Sequence, residues 1–385
     1  MLQIIYTMSF DTIIDFIEPI NMYELSNDEG FKENQLGNHV VVFESFIPDL
    51  TNIDIVIIGC NEIRGAGTDN LPLNSVNFIR SQFYSLYHWH KDVHLADLGN
   101  IKIGTTIQDT YAALKTVVRE LINNNKKVII LGGSHDVTTA QYGAYSALNK
   151  IIEVTNIDAT IDLDIESNLL SNYFLMEMLC GSPNFIKHYN HIGFQSYLVH
   201  PTMLETIDKL RFDCFRVGKV KENIEEMEPV IRNSNMVSFD IASIQNAYAP
   251  YNKVSPNGFT GEEACTLMQF AGLSNNVSTV GIYGFNNAKE DVHNLTAKQI
   301  SQMLWYFMDG VYKSKHESAI EHSQNFNEFH LFLAGEPASF LQSKRTGRWW
   351  MQLPDGKYIA CSQSDYILAA SEELPERWLR AIERS

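Results

Sequence analysis

KVIILGGSHDVTTAQYGAYSALNKIIEVTNIDATID, residues 127–162, holds two apolar runs separated by a segment of helix length. KVIILGG (127–133) reads as a buried strand running into a glycine turn. SHDVTTAQYGAYSALNK (134–150) opens on Ser134, a residue type that caps helices, and continues at helical spacing. IIEVTNIDATID (151–162) reads as a second buried strand. A strand, a helix and a strand of these lengths make a right-handed βαβ unit with parallel strands. On a strand, alternate side chains share a face, so Asp158, Thr160 and Asp162 point the same way. Two carboxylates on one face suggest metal chemistry, and the threonine between them is unexpected.

The same alternation extends in both directions. IDIVIIGC (53–60), NMVSFDIASI (235–244) and VSTVGIYGF (277–285) read as further buried strands. IQDTYAALKTVVRELINNNK (107–126) and TAKQISQMLWYFMDGVYKS (296–314) read as helices. The fold class is therefore α/β, a three-layer α/β/α sandwich around a mostly parallel sheet. Ligands in such sheets gather at the carboxyl ends of the strands. GGSHD, DATID, SFDIAS and YGFNN all fall there.

Three segments are expected: residues 1–50 as an N-terminal extension packed on the core, 51–314 as the α/β domain, and 315–385 as a C-terminal extension packed on the same domain. The polar stretch KHESAIEHSQNFNE (315–328) marks the last boundary. GRWWMQLPDGKYIACS (347–362) reads as two short strands around a PDG turn, and LPERWLRAIER (374–384) as a closing helix.

Composition narrows the function classes. The 385 residues are 45% apolar and 19% charged, which is globular rather than disordered. A net charge of -17 argues against nucleic-acid binding through a broad basic face. The five cysteines include no CxxC pair, which fits reduced thiols in a cytoplasm better than a disulfide framework. The apolar N-terminal stretch lacks a basic region and is interrupted by Asp11, Asp15 and Glu18, so neither a signal peptide nor a membrane span is expected.

Taken together and in order, the strand-end motifs resemble those of the ureohydrolases: arginase, agmatinase and formimidoylglutamase. The resemblance runs from about residue 54 to about 314. GGSHD (132–136) matches the family's Gly-Gly-x-His, and DATID (158–162) its Asp-Ala-His-x-Asp. SFDIAS (238–243), followed by GFTGEE (258–263), matches Ser-Phe-Asp-x-Asp and a downstream Gly-Leu-Thr-x-x-Glu. RGAG (64–67) and DLGN (97–100) are weaker echoes.

The family holds two manganese ions with six side chains. Carried across by position, His135, Asp158, Asp162 and Asp240 match four ligands. Thr160 stands where a histidine is expected and Ala242 where an aspartate is expected. The four matching positions are those that the resemblance assigns to one ion. That set suits one divalent metal, Mn most of all, and a second metal is not expected. Gly284 aligns with the glutamate that grips the guanidinium group. Asp164 and Glu166 extend the acidic face and are the alternative source of a displaced ligand. Without any metal, the retained residues form a polar pocket patched by hydrogen bonds.

Two functions follow. The losses imply a catalytically impaired or inactive homologue with a binding or scaffold role. The retained ligands imply the alternative, a one-metal or altered-site hydrolase acting on a C–N bond of a guanidino or formimino compound such as arginine, agmatine or formiminoglutamate. Catalytic residues are not assigned. HWHKDVH (88–94) reads as a surface loop with an aromatic anchor rather than a metal site. SKRTGRWW (343–350) sets Lys344, Arg345 and Arg348 beside two tryptophans. It reads as a hairpin packing on the core, with docking of a partner or of another copy of the chain as its functional alternative.

Overall fold

The computed structural model describes residues 10–26, 29–68, 75–285, 293–320 and 322–383. Its strands in chain order are β1 (Ile17–Glu18), β2 (Val41–Val42), β3 (Ile55–Gly59), β4 (Leu95–Ile101), β5 (Lys127–Leu131), β6 (Ile152–Ile157) and β7 (Ile186–Phe194). They continue with β8 (Asp213–Arg216), β9 (Met236–Asp240), β10 (Thr279–Tyr283), β11 (Phe326–Leu333), β12 (Glu336–Ser343), β13 (Trp349–Gln352) and β14 (Tyr358–Cys361).

The central sheet runs β1-β4-β3-β5-β10-β9-β6-β7-β8, with β2 also paired to β4. Every pairing in it is parallel except that of β1 with β4. The buried strands feed two cores because alternate residues face opposite ways. Ile55, Ile57, Ile129 and Leu131 pack on one side against helices 75–84, 261–273 and 295–315. Val56, Ile58, Val128 and Ile130 pack on the other side against helices 107–123, 138–147 and 170–180. These are the three expected layers.

Two strands end earlier than their apolar pattern suggests, and both ends lie at the site. β6 stops at Ile157, so Asp158, Thr160 and Asp162 sit in the following bend, not on one strand face. The Asp158 carboxylate accepts from the Ala159 amide at 2.6 Å, and the Ala159 carbonyl accepts from the Gln195 amide. The Asp158 side chain caps the bend while backbone bonds to β7 and the residue after it continue through Asp158 and Ala159. β9 stops at Asp240, whose carboxylate accepts from the Ala242 amide at 2.7 Å and opens a short 3₁₀ turn.

The 134–150 helix also differs from its expected start. Ser134 makes no side-chain cap; a 3₁₀ turn over His135–Val137 precedes the α-helix Thr138–Ala147. The glycines before it are needed. Gly132 and Gly133 both have positive φ, and a Cβ on either would come within 3.0 Å of backbone or side-chain atoms.

The C-terminal region is larger than a hairpin and helix. A four-stranded antiparallel sheet, β11-β12-β13-β14, includes the two expected strands flanking PDG and two where no strand was expected. Helices 363–370 and 376–383 cover it, around a separate core of Phe340, Trp349, Met351 and Trp378. No helix among the described residues is long and apolar enough to cross a membrane.

Candidate metal centre

His135, Asp158, Asp162 and Asp240 come together at the carboxyl ends of β5, β6 and β9, as the topology requires. His135 Nδ1 lies 3.0 Å from Asp162 Oδ2, 3.3 Å from Asp158 Oδ2 and 3.5 Å from Asp240 Oδ2. His135, Asp158 and Asp162 form the tight group, with ligand atoms all within 4.8 Å of one another. No other group of three or more such residues occurs among the described residues.

The far side of the imidazole is fixed. Nε2 lies 3.0 Å from Asn156 Oδ1 and 3.1 Å from Ser238 Oγ, and Ser238 in turn meets Thr138 Oγ1 at 2.7 Å. The amide oxygen can only accept, so Nε2 carries the proton and donates to it. That leaves Nδ1 to bind a proton or a metal amid the carboxylates. Behind Asp158, buried His191 Nε2 donates to the Asp158 carbonyl at 3.2 Å, and its Nδ1 accepts from the Tyr189 hydroxyl at 3.0 Å.

Electrostatics mark the cluster as short of positive charge. Burial would lower the His135 pKa, but the Asp158, Asp162 and Asp240 carboxylates gathered around Nδ1 hold it well above the usual value. Burial and the Asp158 charge push Asp162 up to about 6. Burial pushes Asp240 up to about 7, with Asp158 adding to it and His135 opposing it. Asp158 is lowered because its interactions with His135 overcome burial. Burial drives His191 down to about 4, keeping it neutral. Asp162 Oδ2 is buried and, although 3.0 Å from Nδ1, is not well directed for a hydrogen bond. An imidazole lone pair facing three carboxylates, one with an orphaned oxygen, fits a divalent cation with hard ligands.

Thr160 and Ala242 stand where the resemblance expects a histidine and an aspartate. Thr160 Oγ1 lies 3.1 Å from Asp158 Oδ2 and 3.4 Å from Asp162 Oδ1. Ala242 lines the same cavity, of about 260 Å³, and Gly284 closes one wall. Gly284 has φ +86, and a Cβ there would stand 2.7 Å from Asp240 Oδ1, so this backbone has no room for an acidic side chain. Ser171, Asn172, Tyr251 and Lys253 also line the cavity. Asn286 and Asn287, the end of the YGFNN motif, lie outside the described residues.

Other candidates lie elsewhere. Asp164 accepts from the Glu166 amide, and neither residue lines the cavity. His90 Nε2 meets Asp309 at 2.9 Å between Trp305 and Tyr312, and His88 stacks on His39. In that loop the anchor is His90, while Trp89 is 75% exposed. Sequence reasoning missed Asn156, Ser238 and His191. Asn156 and Ser238 each sit two residues before a motif aspartate; His191 had no such signal.

The model of the Arginase family matches residues 66–309. The chain belongs to the arginase family. Among its relatives, a formimidoylglutamase of Staphylococcus aureus (strain MRSA252) is 27% identical over 242 residues, covering 60% of this chain and 76% of that protein. The solved formimidoylglutamase of Bacillus subtilis superposes with a TM-score of 0.64 at 15% identity, covering 73% of this chain and 94% of that one. A Trypanosoma cruzi formiminoglutamase with Mn²⁺ gives 0.61 at 17%, covering 68% and 94%. The proclavaminate amidino hydrolase of Streptomyces clavuligerus gives 0.59 at 16%, covering 68% and 93%. At these identities the superpositions establish the arginase-like fold.

Proposed function

We propose that this arginase-family chain is a hydrolase working with one divalent metal, Mn²⁺ in preference, on the C–N bond of a formimino or guanidino compound. The observation that carries the reading is His135 Nδ1, aimed at three carboxylate oxygens while Asn156 and Ser238 hold the opposite nitrogen. His135, Asp158, Asp162 and Asp240 would hold the ion. A divalent ion there would supply a water of lowered pKa as the nucleophile. The chain's own residues do the rest. Asn156 and Ser238 orient the imidazole, His191 holds the Asp158 carbonyl, and Ile241, Ala242 and Tyr251 shape the walls. Water adds to the amidine carbon, the C–N bond breaks, and the departing nitrogen takes a proton. The relatives are named as formimidoylglutamases, which makes a formimino compound the first substrate to test.

The second reading is a binding protein that has lost the reaction. It is favoured by Thr160 and Ala242 at the second-site positions and by Gly284, where no acidic side chain fits. One experiment separates the two. Protein loaded with Mn²⁺ is assayed for bound metal and for formamide, urea or ammonia release from formiminoglutamate, agmatine and arginine. One equivalent of metal with turnover supports the hydrolase. One equivalent or none without turnover supports the binding protein. Two equivalents overturn the assignment of a single ion.

A further inference from the structure

β11 pairs with β12 on one side and has no strand partner on the other among the described residues. It is eight residues long, Phe326–Leu333, and reads FNEFHLFL. Natural edge strands are usually kept short or guarded by lysine, proline or a bulge. This one has none of these within it.

The direction of its backbone groups follows from two observations. The Asn325 carbonyl accepts from the Lys344 amide at 3.0 Å, so odd-numbered residues of β11 turn their amides and carbonyls toward β12. Pro337, which has no N–H, sits opposite Phe332 in a slot that this alternation leaves unbonded. The even-numbered residues Glu328, His330 and Phe332 therefore present their backbone groups to the open edge. Their side chains share one face and are exposed, Phe332 at 72%.

The strand is complementary to itself. In an antiparallel pairing with Phe329 opposite Phe329, Glu328 faces His330 of the second copy and His330 faces its Glu328. In the same register Phe332 of each copy stands opposite Phe326 of the other, whose ring is already buried against Trp350. A carboxylate opposite an imidazole, which can hydrogen-bond to it, is a cross-strand pair that stabilises antiparallel strands. The paired residues at 328 and 330 are those whose backbone groups point outward, so the register also satisfies the ladder.

We infer that this edge joins two copies of the chain, β11 against β11 about a twofold axis, into one continuous eight-stranded sheet. The interface is isologous and closes on itself. It lies in the C-terminal sheet, apart from the metal centre.

Light scattering and sedimentation equilibrium of the full chain test this. The wild type is expected to carry twice the mass of a form whose edge is blocked. Glu328→Pro removes only an outward-facing N–H, which edge strands tolerate, and is expected to halve the mass with the far-UV spectrum and melting temperature of the protomer retained. Phe332→Lys, at an exposed site, is expected to do the same. Glu328→Lys alone weakens association through its contact with His330, and the swap Glu328→His with His330→Glu restores it. A monomeric wild type at tens of micromolar, or a mass unchanged by both Glu328→Pro and Phe332→Lys, overturns the inference. Association that is lost with Glu328→Pro but survives Phe332→Lys, or that is lost in the swap Glu328→His with His330→Glu, overturns the stated register.

Discussion

Thr160 Oγ1 donates to Asp158 Oδ2 across 3.1 Å and stands 3.4 Å from Asp162 Oδ1. The hydroxyl thus takes part in the acidic cluster without being able to serve as a strong ligand. Thr160→His together with Ala242→Asp supplies an imidazole and a carboxylate at the second-site positions. The expected outcome is a rise from one to two equivalents of bound Mn²⁺, measured by elemental analysis after gel filtration. Thr160→Ala alone is expected to leave one equivalent. If the double variant still binds one, the assigned register of the DATID and SFDIAS motifs is wrong.

Asn156 fixes the imidazole from behind. Asn156→Leu leaves Nε2 with only the Ser238 hydroxyl and frees the ring to turn or change tautomer. Partners of this kind are worth about 10–100-fold in metal affinity. Titration calorimetry with Mn²⁺ is expected to show a loss in that range, with the melting temperature of the metal-free protein little changed. An unchanged affinity would show that Ser238 is sufficient.

The pH dependence has a definite sign. Folded Asp162 and Asp240 titrate at about 6 and about 7, above an ordinary carboxyl near 4, and His135 is also raised. The metal-free folded chain therefore binds more protons at this site than the unfolded chain. This contribution to stability is present at acid pH and is lost as pH rises through about 4 to 7 and then through the His135 value. Asp158, which is lowered, opposes it in part. A divalent ion replaces those protons, so its stabilisation should grow over the same interval. Thermal melts at pH 5.5 and 8, with and without Mn²⁺, are expected to show the larger metal-induced shift at pH 8. An equal shift at both would argue against these residues as the ligands.

Gly284 is held by its backbone conformation and by its neighbour. At φ +86, with Asp240 Oδ1 only 2.7 Å from where a methyl would stand, Gly284→Ala meets strain and a clash together. A loss of about 1–3 kcal/mol in urea denaturation is expected. A weaker Mn²⁺ affinity should accompany it because the methyl displaces Asp240. A neutral substitution would mean that this segment can move.

The sequence carried the sheet and the four acidic and imidazole positions because both rest on local pattern. β3, β5, β6, β9 and β10 are rich in buried Ile, Val and other apolar residues, and GGSHD, DATID and SFDIAS keep their spacing. The strand ends were less legible. Asp158 and Asp240 cap the backbone that follows them, and periodicity does not register such a cap. β11 was concealed because most of its side chains are exposed or half-buried, so its alternation is weak. SKRTGRWW reads as a hairpin or a docking patch. In the structure Trp349 is buried in the C-terminal core, and Arg232 lies over the Trp350 ring at 4.4 Å. That contact joins residues 118 positions apart and has no local signature.

The same junction gives the last prediction. Arg348 reaches Glu317 at 2.9 Å and the Leu273 carbonyl at 2.9 Å, tying β13 to the helix 261–273. Both side chains are buried, 9% and 3% exposed. Glu317 also accepts from Ser343 Oγ at 2.8 Å and from Thr346. Glu317→Ala strands a buried guanidinium, and removing one partner of a buried pair costs about 3–5 kcal/mol. Glu317→Leu with Arg348→Met removes both charges and should recover much of that loss, since no buried charge is left without its partner, although Ser343, Thr346 and the Leu273 carbonyl each lose a hydrogen bond. Urea midpoints of the three proteins measure this. Equal destabilisation by the single and double variants would mean that the hydrogen bonds to Ser343 and Thr346, not the ion pair, hold the C-terminal sheet in place.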